Sequence, residues 1–96
     1  MDSFCSNVAE RLIERWLGPV MKLPTGERRP LIDTLETWVL SGGSIRRTAE
    51  LAHCHRNTVL NRLHRITQLT GREFDGGEFE IELALALRAA RLLDPA

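Results

Sequence analysis

Apolar residues recur along this chain at intervals of three and four, the spacing that holds them on one side of an α-helix. Val8, Leu12, Ile13 and Trp16 predict a first amphipathic helix over about 7–17, which Gly18-Pro19 ends or bends. Residues 21–29 (MKLPTGERR) read as a polar linker. Pro30 then suits the first position of a second helix, where an N–H would have no intrahelical partner anyway. Leu31, Leu35, Trp38 and Val39 form the inward stripe of that helix, and Gly42-Gly43 stops it. A third helix begins after Ser44, whose hydroxyl suits an N-cap, and carries Ile45, Ala49 and Ala52 on one face. The chain turns through His53-Cys54-His55 into a fourth helix over about 56–69. There Val59, Leu63 and Ile66 set the inward direction and Gly71 closes the last turn.

Asp75 and Glu78 have the spacing of a capping box, opening a fifth helix over about 78–93. That helix is apolar round much of its circumference, with Phe79, Ile81, Leu83, Leu85, Leu87, Leu92 and Leu93. Such a helix is either central to the core or divided between the core and a partner. The expected fold is all-α, a small bundle of about five helices in which the third and fourth form a helix-turn-helix. Residues 1–29 are expected to be an N-terminal helix and linker, and 30–96 the helix-turn-helix domain.

Composition narrows the picture. Ninety-six residues suffice for one helical domain but for few complete enzymes. Apolar residues make up 43% of the chain and tyrosine is absent, so the core is expected to be leucine and alanine, both good helix formers. Two cysteines, Cys5 and Cys54, and no secretory leader point to the cytoplasm, where a disulfide between them is not expected. No apolar run approaches the roughly 20 residues that span a bilayer.

Charge changes the picture most. The chain is neutral overall, yet residues 44–72 hold six arginines against Glu50 alone, a local +5. Residues 1–43 carry −1 and residues 73–96 carry −4. Screening limits what an approaching phosphate feels to about 8–10 Å, so the local patch governs rather than the total. A basic helix pair in a neutral chain is compatible with binding a polyanion.

On a 100° wheel the side of the fourth helix opposite Val59 collects Asn57, Asn61, His64 and Gln68. Thr58 and Arg65 lie on one shoulder, Leu60 on the other, and Arg62 nearer the core stripe. Amides and guanidinium groups bond base edges bidentately, and the N-terminal residues of a groove-entering helix reach deepest. His55, Arg56, Asn57 and Asn61 are therefore the candidates for reading bases. Ser44, Arg46, Arg47, Thr58, Arg62 and Arg65 are the candidates for holding phosphates. Each has a plainer reading as a solvated helix face, a helix-start residue (Thr58) or half of an internal ion pair (Arg62 with Glu36 or Glu50).

Other chemistries are poorly served. Three adjacent residues, His53-Cys54-His55, cannot all aim at one ion, and zinc requires four ligands at wider spacing. Cys54 reads as a small apolar plug in the turn. The alternating acids Glu78, Glu80 and Glu82 complement a helix dipole. Neither a Gly-rich phosphate loop nor a zinc-protease motif is present. No catalytic residue, metal or cofactor is expected.

Residues 31–93 resemble the C-terminal helix-turn-helix domain of PucR/CdaR-type bacterial transcription regulators. The resemblance rests on Thr34-Leu35, Gly43-Ser44, Thr48-Ala49, His55-Arg56-Asn57-Thr58-Val59, Arg62-Leu63, Ile66, Leu69-Thr70-Gly71 and the leucine- and alanine-rich last helix. The helix pair is also similar to that of Fis-type DNA-bending proteins. Ala52 and Cys54 stand where larger aliphatics are common in the family, and Leu60-Asn61 where members often carry Arg-Tyr. The resemblance implies sequence-specific DNA binding at promoters by a transcription regulator. It also implies that residues 1–29 are the tail of an upstream region and that a small-molecule effector acts only through a sensory region absent here. From the residues themselves helix 56–69 is expected in the major groove of double-stranded DNA. A homodimer or higher homo-oligomer is expected because one helix pair contacts few base pairs. The rival expectation is a protein–protein interaction module that works through the leucine-rich last helix.

Overall fold

The computed structural model describes the backbone of residues 2–73 and 80–93, and the side chains of residues 8–73 and 82–92. Among these residues the chain forms α1 (Asp2–Met21), α2 (Thr25–Leu40), α3 (Ile45–Ala52), α4 (Arg56–Thr70) and α5 (Glu80–Leu93), the all-α architecture expected. Local chemistry sets most of the boundaries. Gly42 and Gly43 take φ of 73° and 85°, a left-handed region that L-residues enter at a cost, and the Gly43 N–H closes α2 on the Trp38 carbonyl at 2.9 Å. The Ser44 hydroxyl accepts the Arg47 N–H at 3.0 Å and so caps α3. His53 caps the other end in a left-handed conformation (φ 55°). The Gly71 N–H bonds the Thr67 carbonyl at 2.8 Å, with φ 72°.

One core serves the whole chain. Val59 and Ile66 are fully buried and Leu63 nearly so, among Leu17 and Val20 of α1, Leu35 and Trp38 of α2, and Leu83, Ala86 and Leu87 of α5. Cys54, a free thiol, packs against this cluster from the turn. The helix α2 touches all four others, and α4 touches α1, α2 and α3. The last helix meets α1 and α2 but, among the described residues, neither α3 nor α4. Two polar ties fix it there. The Trp16 indole donates to Glu82 at 2.8 Å, with Arg15 3.5 Å from the same carboxylate. Arg91 bridges to Glu36 (2.9 Å) and Asp33 on α2, and these bonds hold its guanidinium well above its ordinary pKa, so it stays charged.

The first helix does not end at Gly18-Pro19. It continues through Pro19 to Met21. Proline has no N–H for the carbonyl four residues back, that of Arg15, which would leave it orphaned. That carbonyl instead accepts the Arg72 Nε at 3.1 Å, and the same guanidinium lies 4.2 Å from the centroid of the Trp16 ring. Burial of Leu17 and Val20 holds the helical turn on either side of the proline.

The second helix begins at Thr25, after an N-cap at Pro24, rather than at Pro30. Pro30 is its sixth residue, and the carbonyl it deprives belongs to Gly26, which faces open solvent and can bond water. The expected linker 21–29 therefore shrinks to the short turn before Thr25. Two residues of the expected inward stripes are exposed: Val8, and Ala52 in the last turn of α3. The expected Asp75–Glu78 capping box and the side chains of Phe79, Ile81 and Leu93 lie outside the described residues.

Candidate nucleic-acid interface

The angle between α2 and α3 is held by a small hydroxyl network. Thr48, fully buried, donates to the Ser44 carbonyl at 2.6 Å and lies 2.9 Å from the Ser41 hydroxyl. Ser41 lies in turn within 2.9 Å of the Trp38 carbonyl, so every buried hydroxyl of the turn has a partner. The Thr48 N–H completes the first turn on Ser44 at 3.0 Å. From this turn α3 runs to Ala52, and α4 starts at Arg56 after three intervening residues.

At the start of α4 the His55 Nδ1 accepts the Asn57 N–H at 3.0 Å. His55 thus works as the N-cap, its ring turned back over the first turn while the residue stays exposed. Burial of Val59, Leu63 and Ile66 turns the opposite side to solvent, and Asn57, Asn61, His64 and Gln68 are all exposed there. This ridge is polar, and none of its four side chains bonds another of the described residues. Leu60, on one shoulder, is 47% exposed, an apolar surface of the kind that meets a thymine methyl.

The six arginines of the basic segment end in different environments. Arg56 and Arg47 are exposed and, among the described residues, their side chains have no ionic or hydrogen-bonding partner. Arg46 lies 3.5 Å from Glu50 on its own helix, and both are well exposed. Arg65 lies 3.5 Å from Glu27 of α2. Arg62 does not pair with Glu36 or Glu50; it donates to the Thr34 hydroxyl at 3.2 Å. Arg72 is committed to α1 as described above. Exposed pairs such as Arg46–Glu50 and Arg65–Glu27 contribute only about 0–1 kcal/mol, so a phosphate can displace them at little cost.

The ten candidates therefore divide. Asn57, Asn61, Arg56 and Arg47 stand open, Arg46 and Arg65 are in loose pairs, and Thr58 and Arg62 are half-buried on the α2-facing shoulder. Ser44 and His55 serve as caps. Sequence reasoning missed Glu27 and Thr34 as partners of this shoulder. They lie 38 and 28 residues from Arg65 and Arg62, and no local pattern carries such a pairing. Among the described residues α5 contacts α1 and α2 but neither α3 nor α4, and its Glu82 is held by Trp16 and Arg15 of α1.

A capped helix pair on a shared core, with an open polar ridge on the second helix, is a helix-turn-helix domain. The chain belongs to the PucR C-terminal helix-turn-helix domain family, whose model matches residues 31–89. It is 36% identical over 67 residues to the purine catabolism regulatory protein of Bacillus subtilis (strain 168), a match that covers 70% of this chain and 13% of that protein. It is also 38% identical over 61 residues to the uncharacterized protein YsfB of the same organism, covering 64% of this chain and 17% of that protein. The chain thus spans less than a fifth of the length of these curated relatives. No solved structure matches it. Among the described residues no helix is long and apolar enough to cross a membrane.

Proposed function

We propose that this chain binds double-stranded DNA sequence-specifically in the cytoplasm, with α4 in the major groove, as the DNA-reading part of a transcription regulator. The observation that carries the reading is the ridge of Asn57, Asn61, His64 and Gln68, exposed and unbonded opposite the buried Val59, Leu63 and Ile66. Unbonded amides need no internal bond broken before they meet adenine edges. Arg56, at the N-terminal end of the same helix and equally open, adds a bidentate donor for guanine. His55 keeps its cap bond and offers its other ring nitrogen.

Arg46, Arg47, Arg62 and Arg65 hold phosphates on the two flanks, with Thr58 and the hydroxyl of Ser44. With about four or five phosphates neutralised per protomer, log K should fall against log salt with a slope of roughly −4 to −5, doubled for a dimer.

The same reading includes a homodimer or higher oligomer, since one helix pair covers few base pairs. Leu40, Leu85 and Leu92, at 81%, 54% and 75% exposure, supply apolar surface on α2 and α5 away from the ridge. A gel-shift titration of the chain against pooled genomic fragments at 50 and 200 mM salt tests the proposal. Selective retention of a few fragments, weakening steeply with salt, is expected. Binding that is absent at low salt, or indifferent to it, would refute it.

A further inference from the structure

Arg62 stands out among the arginines of the basic segment. It is half-buried against α2 and donates to the neutral Thr34 hydroxyl. Among the described residues no carboxylate lies within salt-bridge distance of it. Several of its N–H groups therefore have no acceptor, although partial burial makes an ionic partner worth more than in open water. The groove into which it projects is walled by Arg29, Asp33, Thr34 and Thr37 of α2 and by Ala52 of α3.

Arg29 is exposed and, among the described residues, equally unpaired. Its neighbour one turn on, Asp33, would ordinarily take it in an i,i+4 pair. That carboxylate is held by Arg91 of α5 instead. The Thr37 hydroxyl donates to the Asp33 carbonyl at 2.9 Å, so the free donors in the groove are the two guanidinium groups. Two uncompensated cations thus face one groove on the flank of α4 that also carries Arg65.

We infer that this groove is a phosphate-binding site in which Arg29 and Arg62 together grip the DNA backbone beside the recognition helix, extending the footprint onto α2. The inference rests on the DNA-binding reading above and adds Arg29, which lies before the residues matched by the family model. The Arg91 bridge has a second consequence. By occupying Asp33, it leaves Arg29 free for an external anion.

The test is fluorescence anisotropy on a duplex selected from the retained fragments, and on a scrambled duplex, over a range of salt concentrations. Arg29→Ala is compared with Arg11→Ala, which removes the same charge from an exposed position on α1. Arg29→Ala should weaken both duplexes by the same factor, about 5–10-fold near 0.15 M salt, and flatten the salt slope by about 1. Arg11→Ala should change neither. Because Arg29 is exposed and unbonded, its circular dichroism and melting temperature should match those of the unchanged chain. If the two variants behave alike, the groove does not hold phosphate, while binding by the unchanged chain still upholds the DNA-binding reading. If the unchanged chain binds no duplex, both readings fall together.

Discussion

Arg72→Ala removes two contacts at once, and the structure allows its cost to be divided between them. The first is the bond from the Arg72 Nε to the Arg15 carbonyl at 3.1 Å, which replaces the N–H that Pro19 lacks. At a partly exposed site a charge-assisted bond of this kind is worth about 1 kcal/mol. The second is the stacking of the guanidinium 4.2 Å from the Trp16 ring, worth about 0.5–1 kcal/mol. The expected loss is about 1.5–2 kcal/mol, and for a domain of this size that lowers Tm by roughly 6–16 °C. Pro19→Ala supplies the tool that separates the two parts. It gives the Arg15 carbonyl an intrahelical N–H, so Arg72→Ala in that background should cost only the ring contact. The double-mutant cycle, followed by circular dichroism during urea and thermal unfolding, should give a coupling near 1 kcal/mol. Additivity within about 0.3 kcal/mol would mean that the carbonyl is equally well served by water and that Arg72 does not splint the proline.

Three further outcomes follow from the geometry. Thr48→Val keeps the shape of a fully buried side chain but strips the bonds to Ser44 and Ser41, so chemical denaturation should show a loss of about 1–3 kcal/mol. His53→Gly relieves a left-handed φ of 55° at the end of α3 and should raise stability by about 0.5–1 kcal/mol, read as a higher urea midpoint with unchanged slope. Glu27→Gln frees Arg65 and removes a carboxylate from the flank of α4. At about 7 Å from a phosphate in water that charge is worth on the order of 0.5 kcal/mol, so duplex affinity at low salt should rise about two- to threefold, and the gain should vanish at high salt.

The local features of this fold are legible along the chain because each depends on neighbours within one helical turn. Ser44 caps α3 because its hydroxyl reaches an N–H three residues on. Gly43 and Gly71 close helices because only a residue without a Cβ takes a positive φ freely. The 0, 4, 7 spacing of Val59, Leu63 and Ile66 fixes which side of α4 is buried, and so which side carries Asn57 and Asn61. Where the sequence reading fails, a distant group intervenes. Gly18-Pro19 looks like a stop, and in an isolated peptide the orphaned Arg15 carbonyl would favour one. Arg72, 57 residues away, removes the penalty. Pro30 reads equally well as the first residue of a helix or as one just past its first turn. Solvent exposure of Gly26 allows the second.

The basic segment follows the same rule. Composition alone determines that 44–72 carries a local +5 and that α4 has one polar side. Which of those charges remain available is a tertiary matter, because an ion pair is made by whatever the fold brings within about 4 Å. Glu27 reaches Arg65, the Thr34 hydroxyl reaches Arg62, Trp16 receives Arg72, and Arg91 draws Asp33 away from Arg29. The sequence by itself determined the helices, their inward faces and the sign of the patch, since these depend on periodicity and on hydrogen bonds closed within a turn. Only the tertiary structure decided which guanidinium groups are spent inside the molecule and which stand free, because Coulomb attraction acts through space and takes no account of order along the chain.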